Sequence, residues 1–217
     1  MKSILTTISL AFILAMSGFS QNSNDTLNLD YREHFIFGLK AGINYSNVYD
    51  AQGEEFKTDA KLGLAGGLFV AIPIIKFLGV QPEVLFSQKG FKGTGRLFGT
   101  SYELTRTTNY IDVPLYFALK PSRFFTILAG PQYSYLISQQ NKFENAVTTI
   151  VQEQEFENDN IRKNTFCFSG GADIMLNHLV ISGRAGWDIL NNNGDGTSTT
   201  PRYKNAWYQL TAGYVFH

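Results

Sequence analysis

Eight segments of the chain alternate apolar and polar side chains with period two, at residues 35–47, 61–72, 77–89, 109–119, 124–137, 165–176, 179–190 and 206–216. Such alternation puts successive side chains on opposite faces of a β-strand. In the first segment Phe37, Leu39, Ala41, Ile43 and Tyr45 share one face, and Lys40, Gly42, Asn44 and Ser46 the other. The second sets Leu62, Leu64, Leu68, Val70 and Ile72 against Gly63, Ala65, Gly67 and Ala71, with Phe69 a bulky exception among small residues. The last sets Tyr208, Leu210, Ala212, Tyr214 and Phe216 against Gln209, Thr211 and Gly213. Pro82 is the awkward residue of the third segment, because proline removes a ladder hydrogen bond.

The connectors turn these strands into a topology. Those at 73–76, 120–123 and 177–178 are tight, whereas those at 48–59, 90–108, 138–164 and 191–205 are long. A strand crosses a bilayer with about ten residues, and in lipid every backbone group must find its partner within the sheet, so strands cross only as a closed barrel. Short turns at one end and long loops at the other are the asymmetry of an outer-membrane barrel, and an even strand number puts both chain ends on the short-turn, periplasmic side. The expected fold is therefore all-β, an eight-stranded antiparallel up-and-down transmembrane β-barrel. Alternation alone does not say which face lies inside. A soluble lipocalin-like barrel with an apolar lumen is the alternative; it leaves the loop asymmetry unexplained, and no Gly-x-Trp stands near the first strand.

Aromatic residues add an independent signal, since tyrosine and tryptophan prefer the two headgroup levels. Tyr45, Tyr133, Tyr135, Trp187, Trp207 and Tyr208 fall near the long-loop ends, and Phe35, Phe37, Phe77, Phe124, Phe125, Tyr214 and Phe216 near the short-turn ends. Two girdles are expected. Upstream, Lys2, an apolar stretch over residues 4–16 and the small polar tail Ser17, Gly18, Phe19 and Ser20 have the layout of a secretory signal peptide. The expected organisation is a signal peptide over 1–20, a periplasmic segment over 21–34 and one barrel domain over 35–217. No later stretch is long and apolar enough for a membrane helix. Lys and Arg total 18, as do Asp and Glu, so no strong field points to nucleic acid as a partner. Cys167 is the only cysteine and forms no intramolecular disulfide, so closure of the sheet in lipid must supply the stability that disulfides give other small exported domains.

Several stretches are familiar as a set: GLKAGINYSN in the first strand, QPEVLFSQKG in the third, NYIDVPLYFAL in the fourth, LAGPQYSYL in the fifth and the closing QLTAGYVF. Together they resemble the PorT-like family of small bacterial outer-membrane β-barrels, over residues 35–216. The chain departs from that pattern in ending with His217 after the aromatic, and in carrying Leu128 where an acidic residue often stands. The resemblance implies the barrel fold, a place in the bacterial outer membrane among its lipids, and a final aromatic strand of the kind read by the barrel-assembly machinery. It implies no biochemical activity, because fold does not carry function.

Candidate chemistry lies in two places. The interior of an eight-stranded barrel is just wide enough to be filled by side chains. The inward positions collect Lys40, Glu83, Lys89, Tyr110, Asp112, Asp173, Arg184 and Asp188, which predicts a paired polar network, with Arg184 placed between Glu83 and Asp112. A narrow ion or small-solute path is the functional alternative to a lumen plugged by that network. A lipid-modifying enzyme is a third reading, but a serine nucleophile typically needs a base, usually histidine, and His34, His178 and His217 all map to the periplasmic rim. No cofactor is expected. In the fourth loop Asn191, Asn193, Asp195 and Gly196 are spaced like the start of a calcium loop, but Arg202 stands where its bidentate glutamate belongs, so a Gly/Asn turn is the expectation. The third loop is acidic at Glu144, Glu153, Glu155, Glu157 and Asp159, its 147–156 stretch still alternates, and the second loop is basic at Lys92, Arg96 and Arg106. A protein partner would meet these loops, since binding residues concentrate on loops held by a rigid scaffold.

Overall fold

The computed structural model describes residues 30, 32–50, 58–97, 100–145, 149–154, 163–190 and 203–216. The signal-peptide segment 1–20 lies outside them, as does most of the segment 21–34. Among the described residues nine strands form: β1 Ile36–Asp50, β2 Thr58–Ile75, β3 Leu78–Leu97, β4 Thr100–Ser122, β5 Phe125–Asn145, β6 Thr149–Gln154, β7 Asn164–Leu176, β8 Leu179–Asp188 and β9 Tyr203–Phe216. All pairings are antiparallel, and β1 pairs with β2 on one side and β9 on the other. The remaining pairings carry the ladder through β3, β4, β5, β7 and β8 back to β9, so eight strands close into a ring. Closure leaves no sheet edge within the bilayer, which strands in lipid require.

The two faces are inverted relative to a soluble barrel. Leu64, Phe117 and Tyr208 are 62, 66 and 68 % exposed on the outside, whereas Lys40 and Glu83 are buried inside. An apolar exterior around a polar interior is stable only in lipid, which excludes the lipocalin-like arrangement. Pro82 is accommodated without a change of register: pairing of β3 with β4 passes from Pro82–Leu115 to Leu85–Asp112.

Period two also corrects one aromatic. Tyr208 faces outward, so its neighbour Trp207 faces the lumen, where it is 3 % exposed and belongs to no girdle. Trp207 pairs with Gly186, and a Cβ on Gly186 would run into its ring. Phe69, the exception on the small face of β2, likewise lies across its register partner Gly38. Phe69 and Trp207 thus each occupy the room left by a glycine on the adjacent strand.

Three strands, β3, β4 and β5, run well past their apolar patterns at the long-connector end. β3 and β4 pair continuously up to Leu97–Thr100, so the expected loop at 90–108 is mostly a hairpin. β4 and β5 pair up to Tyr102–Asn145, and β6 returns along β5 at Gln139–Gln154 through Glu144–Thr149. By contrast, the β1–β2 pairing ends at Ser46–Lys61 and the β7–β8 pairing at Cys167–Asp188. The sheet β3-β4-β5-β6 therefore continues past the ring at the long-connector end. At its base Ser46 of β1 accepts from the Gly90 backbone N–H at 2.9 Å and donates to the Gly90 carbonyl at 3.0 Å. Gly90 has φ of 148°, a backbone that favours glycine, and a Cβ there would strike the Arg106 carbonyl.

Candidate functional site

The lumen is layered. At the short-turn end Ile36, Phe69, Ala71, Val180 and Val215 form one apolar cluster, and Tyr116, Ala118 and Leu128 a second. Beyond these lies the first ionic group. The Arg184 guanidinium on β8 meets Asp173 of β7 at 2.7 Å and reaches across the lumen to Glu83 of β3 at 3.5 Å. Lys40 of β1 pairs with the other Glu83 oxygen at 2.5 Å. Gln81 bridges the two acids, its Nε2 donating to Glu83 at 3.0 Å and to Asp173 at 3.1 Å. Arg184 also donates to the Ala172 carbonyl at 2.9 Å and stacks 5.1 Å from the centre of the Tyr116 ring.

A second group stands nearer the long connectors. Lys89 of β3 pairs with Asp112 of β4 at 2.9 Å, with its ammonium 3.7 Å from the Trp207 ring centre and 4.9 Å from that of Tyr110. Cation–π contact of this kind partly replaces the hydration the ammonium loses on burial. Asp188 of β8 accepts from the Asn205 backbone N–H at 2.9 Å, from Asn205 Nδ2 at 2.7 Å and from Cys167 Sγ at 3.1 Å. Between the groups, Tyr116 and Ser169 share a hydrogen bond of 2.9 Å, Ser169 donates to Gln132 at 3.0 Å, and Gln132 donates to Ser134 at 3.1 Å. Asn44 donates to Ser87 at 2.8 Å and accepts from Gln209 at 2.9 Å.

All eight inward residues singled out from the sequence are buried. The structure divides them into two groups, and it changes one partner. Arg184 sits between Glu83 and Asp173, while Asp112 belongs to Lys89. The reason is register: Asp173 pairs with Ser182, two residues along β8 from Arg184, whereas β4 adjoins only β3 and β5. Lys120, assigned to a turn from its sequence position, is an inward residue of β4 and is 4 % exposed. Its parity with Tyr110, Asp112 and Tyr116 was the available signal. Among the described residues Lys40, Lys89, Lys120 and Arg184 then match Glu83, Asp112, Asp173 and Asp188 in number, and a balanced set is what a low-dielectric interior requires. No group of His, Cys, Asp and Glu among the described residues could hold a metal, and the calcium-like residues Asn191, Asn193, Asp195, Gly196 and Arg202 lie outside them.

The extended sheet has a different chemistry. Across its outward face Gln88 donates to Asn109 at 3.0 Å, and Asn109 to Ser138 at 2.9 Å. Further out, Lys92 pairs with Glu103 at 3.0 Å and Lys142 with Glu144 at 2.6 Å. The hydrogen bond and charge of Lys92 hold the Glu103 carboxyl below the usual carboxylate range. These pairs are exposed and contribute little to stability. They mark where the apolar wall gives way to a wettable surface.

Comparison with known proteins agrees with this geometry. The attachment invasion locus protein Ail of Yersinia pestis shares the fold, with a TM-score of 0.50 at 14 % identity over 85 % of this chain and 99 % of Ail. Neisserial surface protein A aligns over 83 % of this chain and 97 % of its own, at 9 % identity and a TM-score of 0.44. A search of curated proteins returned no match. The sequence model of the outer membrane protein β-barrel domain matches residues 19–192, well over half of the chain. The protein belongs to that family and resides in the bacterial outer membrane.

Proposed function

We propose that this barrel is a non-catalytic outer-membrane protein that acts through the surface it presents at its long-connector end, above a lumen closed by its own side chains. The observation that carries the reading is the filled interior. Apolar clusters at the short-turn end, two paired ionic groups above them, and buried Phe91 and Leu136 toward the long connectors occupy successive levels of a lumen that eight strands leave narrow. The extended sheet β3-β4-β5-β6 supports the second half of the reading, because it carries a rigid, polar, exposed face beyond the bilayer wall. The two described histidines, His34 and His178, lie near β1's start and in the β7–β8 turn, away from that face. This placement argues against an acyl-transfer site there. The finer placing among PorT-like barrels rests on the five quoted segments, and the assembly machinery is assigned as biogenesis partner on the aromatic final strand that closes against β1.

A photo-crosslinking residue at Thr94 or Thr105, on the extended sheet, should yield a discrete protein adduct in native outer membranes. The same residue at lipid-facing Leu64 should yield none. Absence of adducts from both sheet positions, or equal adducts from Leu64, would overturn the interaction role.

A further inference from the structure

Three irregularities of the sheet fall at one height, where β3, β4 and β5 leave the ring. Pairing of β2 with β3 passes from Ala60–Phe91 to Ala65–Ser87, so residues 61–64 hold one residue more than residues 88–90 opposite them. Pairing of β4 with β5 passes from Asn109–Ser138 to Tyr110–Leu136, which leaves Ile137 over. Between these two bulges Gly90 of β3 carries its φ of 148°, opposite Thr107 of β4. The irregularities therefore form a band across four neighbouring strands. An extra residue interrupts the ladder and bends the strand that carries it, so a sheet with such interruptions side by side gives along the line that joins them.

The backbone groups that the ladder loses in this band are taken up from β1. Buried Ser46 accepts from the Gly90 N–H at 2.9 Å and donates to the Gly90 carbonyl at 3.0 Å. Asn44 donates to the Gln88 carbonyl at 3.1 Å, and Asn47 to the Thr58 carbonyl at 3.1 Å. In the ring β2 stands between β1 and β3, so Asn44 and Ser46 reach past a strand to hold the band. The other flank is held by less. There β7 pairs with β5 up to Tyr135–Asn164, with one further bond from the Leu136 N–H to the Lys163 carbonyl at 2.8 Å. Beyond the band the pairing is regular again, from Lys92–Thr105 to Leu97–Thr100 and from Thr105–Lys142 to Tyr102–Asn145.

We infer that this band is a hinge about which the sheet beyond it tilts as one body, and that the paired bonds between Ser46 and Gly90 are the latch that holds it in place. Regular pairing keeps the moving part stiff, and closure of the ring fixes the strands below. A hydroxyl suits the latch because it is donor and acceptor at once, so one side chain replaces both ladder bonds of Gly90. Opening it leaves no charge buried without a partner. Glycine suits the other half, since Gly90 needs a backbone that other residues rarely adopt. Tilting would change the angle at which the polar outward face meets a partner. That use rests on the interaction role proposed above for the extended sheet, whereas the hinge stands on the geometry of the band alone.

The test is the distance between nitroxide labels at Thr105→Cys, beyond the band, and Ile189→Cys, on the ring, in a Cys167→Ser background. It is measured by pulsed electron spin resonance on full-length protein that migrates as the folded band. With Ser46 intact the distances should form one narrow distribution. Ser46→Ala should broaden that distribution and shift its mean, and Ser46→Thr, which keeps the hydroxyl, should restore it. Labels at Thr94→Cys and Lys142→Cys, both beyond the band, should keep their separation in all three proteins. A second measurement needs no variant: in the native protein amide exchange should be faster at Gly90 and Ile137 than at Leu104 beyond the band and at Asp112 below it. An unchanged Thr105–Ile189 distribution in Ser46→Ala, equal broadening between Thr94 and Lys142, or protection that falls steadily from Asp112 through Gly90 to Leu104 would each overturn the hinge.

Discussion

Replacing Arg184 with leucine should destabilise the barrel by about 3–5 kcal/mol, because it strips a buried cation from two buried acids. Asp173, 2.7 Å from the guanidinium, would lose its ion pair and keep only hydrogen bonds such as that from Gln81; Glu83 would keep Lys40. The readout is the temperature at which the compact folded form gives way to the unfolded band on a gel. Removing Asp173 together with Arg184, as Arg184→Met/Asp173→Leu, should recover much of the loss, since replacing both partners of a buried pair by apolar groups is often close to neutral. Unchanged heat resistance in Arg184→Leu, or a double variant worse than the sum of its singles, would contradict this account of the first ionic group.

The second large effect concerns a glycine. A Cβ added at Gly171 of β7 would run into the carbonyl oxygen of Gly183 and crowd the Arg184 Cα on β8, both backbone atoms that cannot step aside without separating the strands. Gly183, on the adjoining strand, meets nothing within 4 Å. Gly171→Ala should therefore sharply reduce the folded fraction, whereas Gly183→Ala should leave it nearly intact. The two substitutions add the same methyl group to neighbouring strands, so a difference between them reports local contact rather than propensity. Comparable folding yields for both would remove the close approach of β7 to β8 as a constraint.

What was legible in the sequence follows from where the solvent changes. Inside the bilayer the two faces of a strand meet lipid and lumen, so alternation is strict, and β1, β7, β8 and β9 can be read from it to within a few residues at most ends. Past the apolar wall the outward face of β3, β4 and β5 turns polar and carries the pairs Lys92–Glu103 and Lys142–Glu144, and the alternation that marks a strand fades. The hairpin around Leu97 and Thr100 therefore looks like a polar loop. The weaker alternation over residues 147–156 did signal β6, Thr149–Gln154. Side-chain orientation was readable from parity alone, and ignoring parity is what put Trp207 in a girdle beside Tyr208 and Lys120 in a turn. Partners across the lumen were not readable. Which acid meets Arg184 depends on the register summed around the ring, and no local pattern near Asp112 or Asp173 encodes it.

The central claim is that the lumen is closed by its own side chains, and conductance across planar bilayers tests it most directly. The native barrel should show no steady single-channel conductance. A steady conductance in the native protein that is altered by Arg184→Leu or by substitution of Lys89 would contradict it, and would make the interior, rather than the extended sheet, the working part of the molecule.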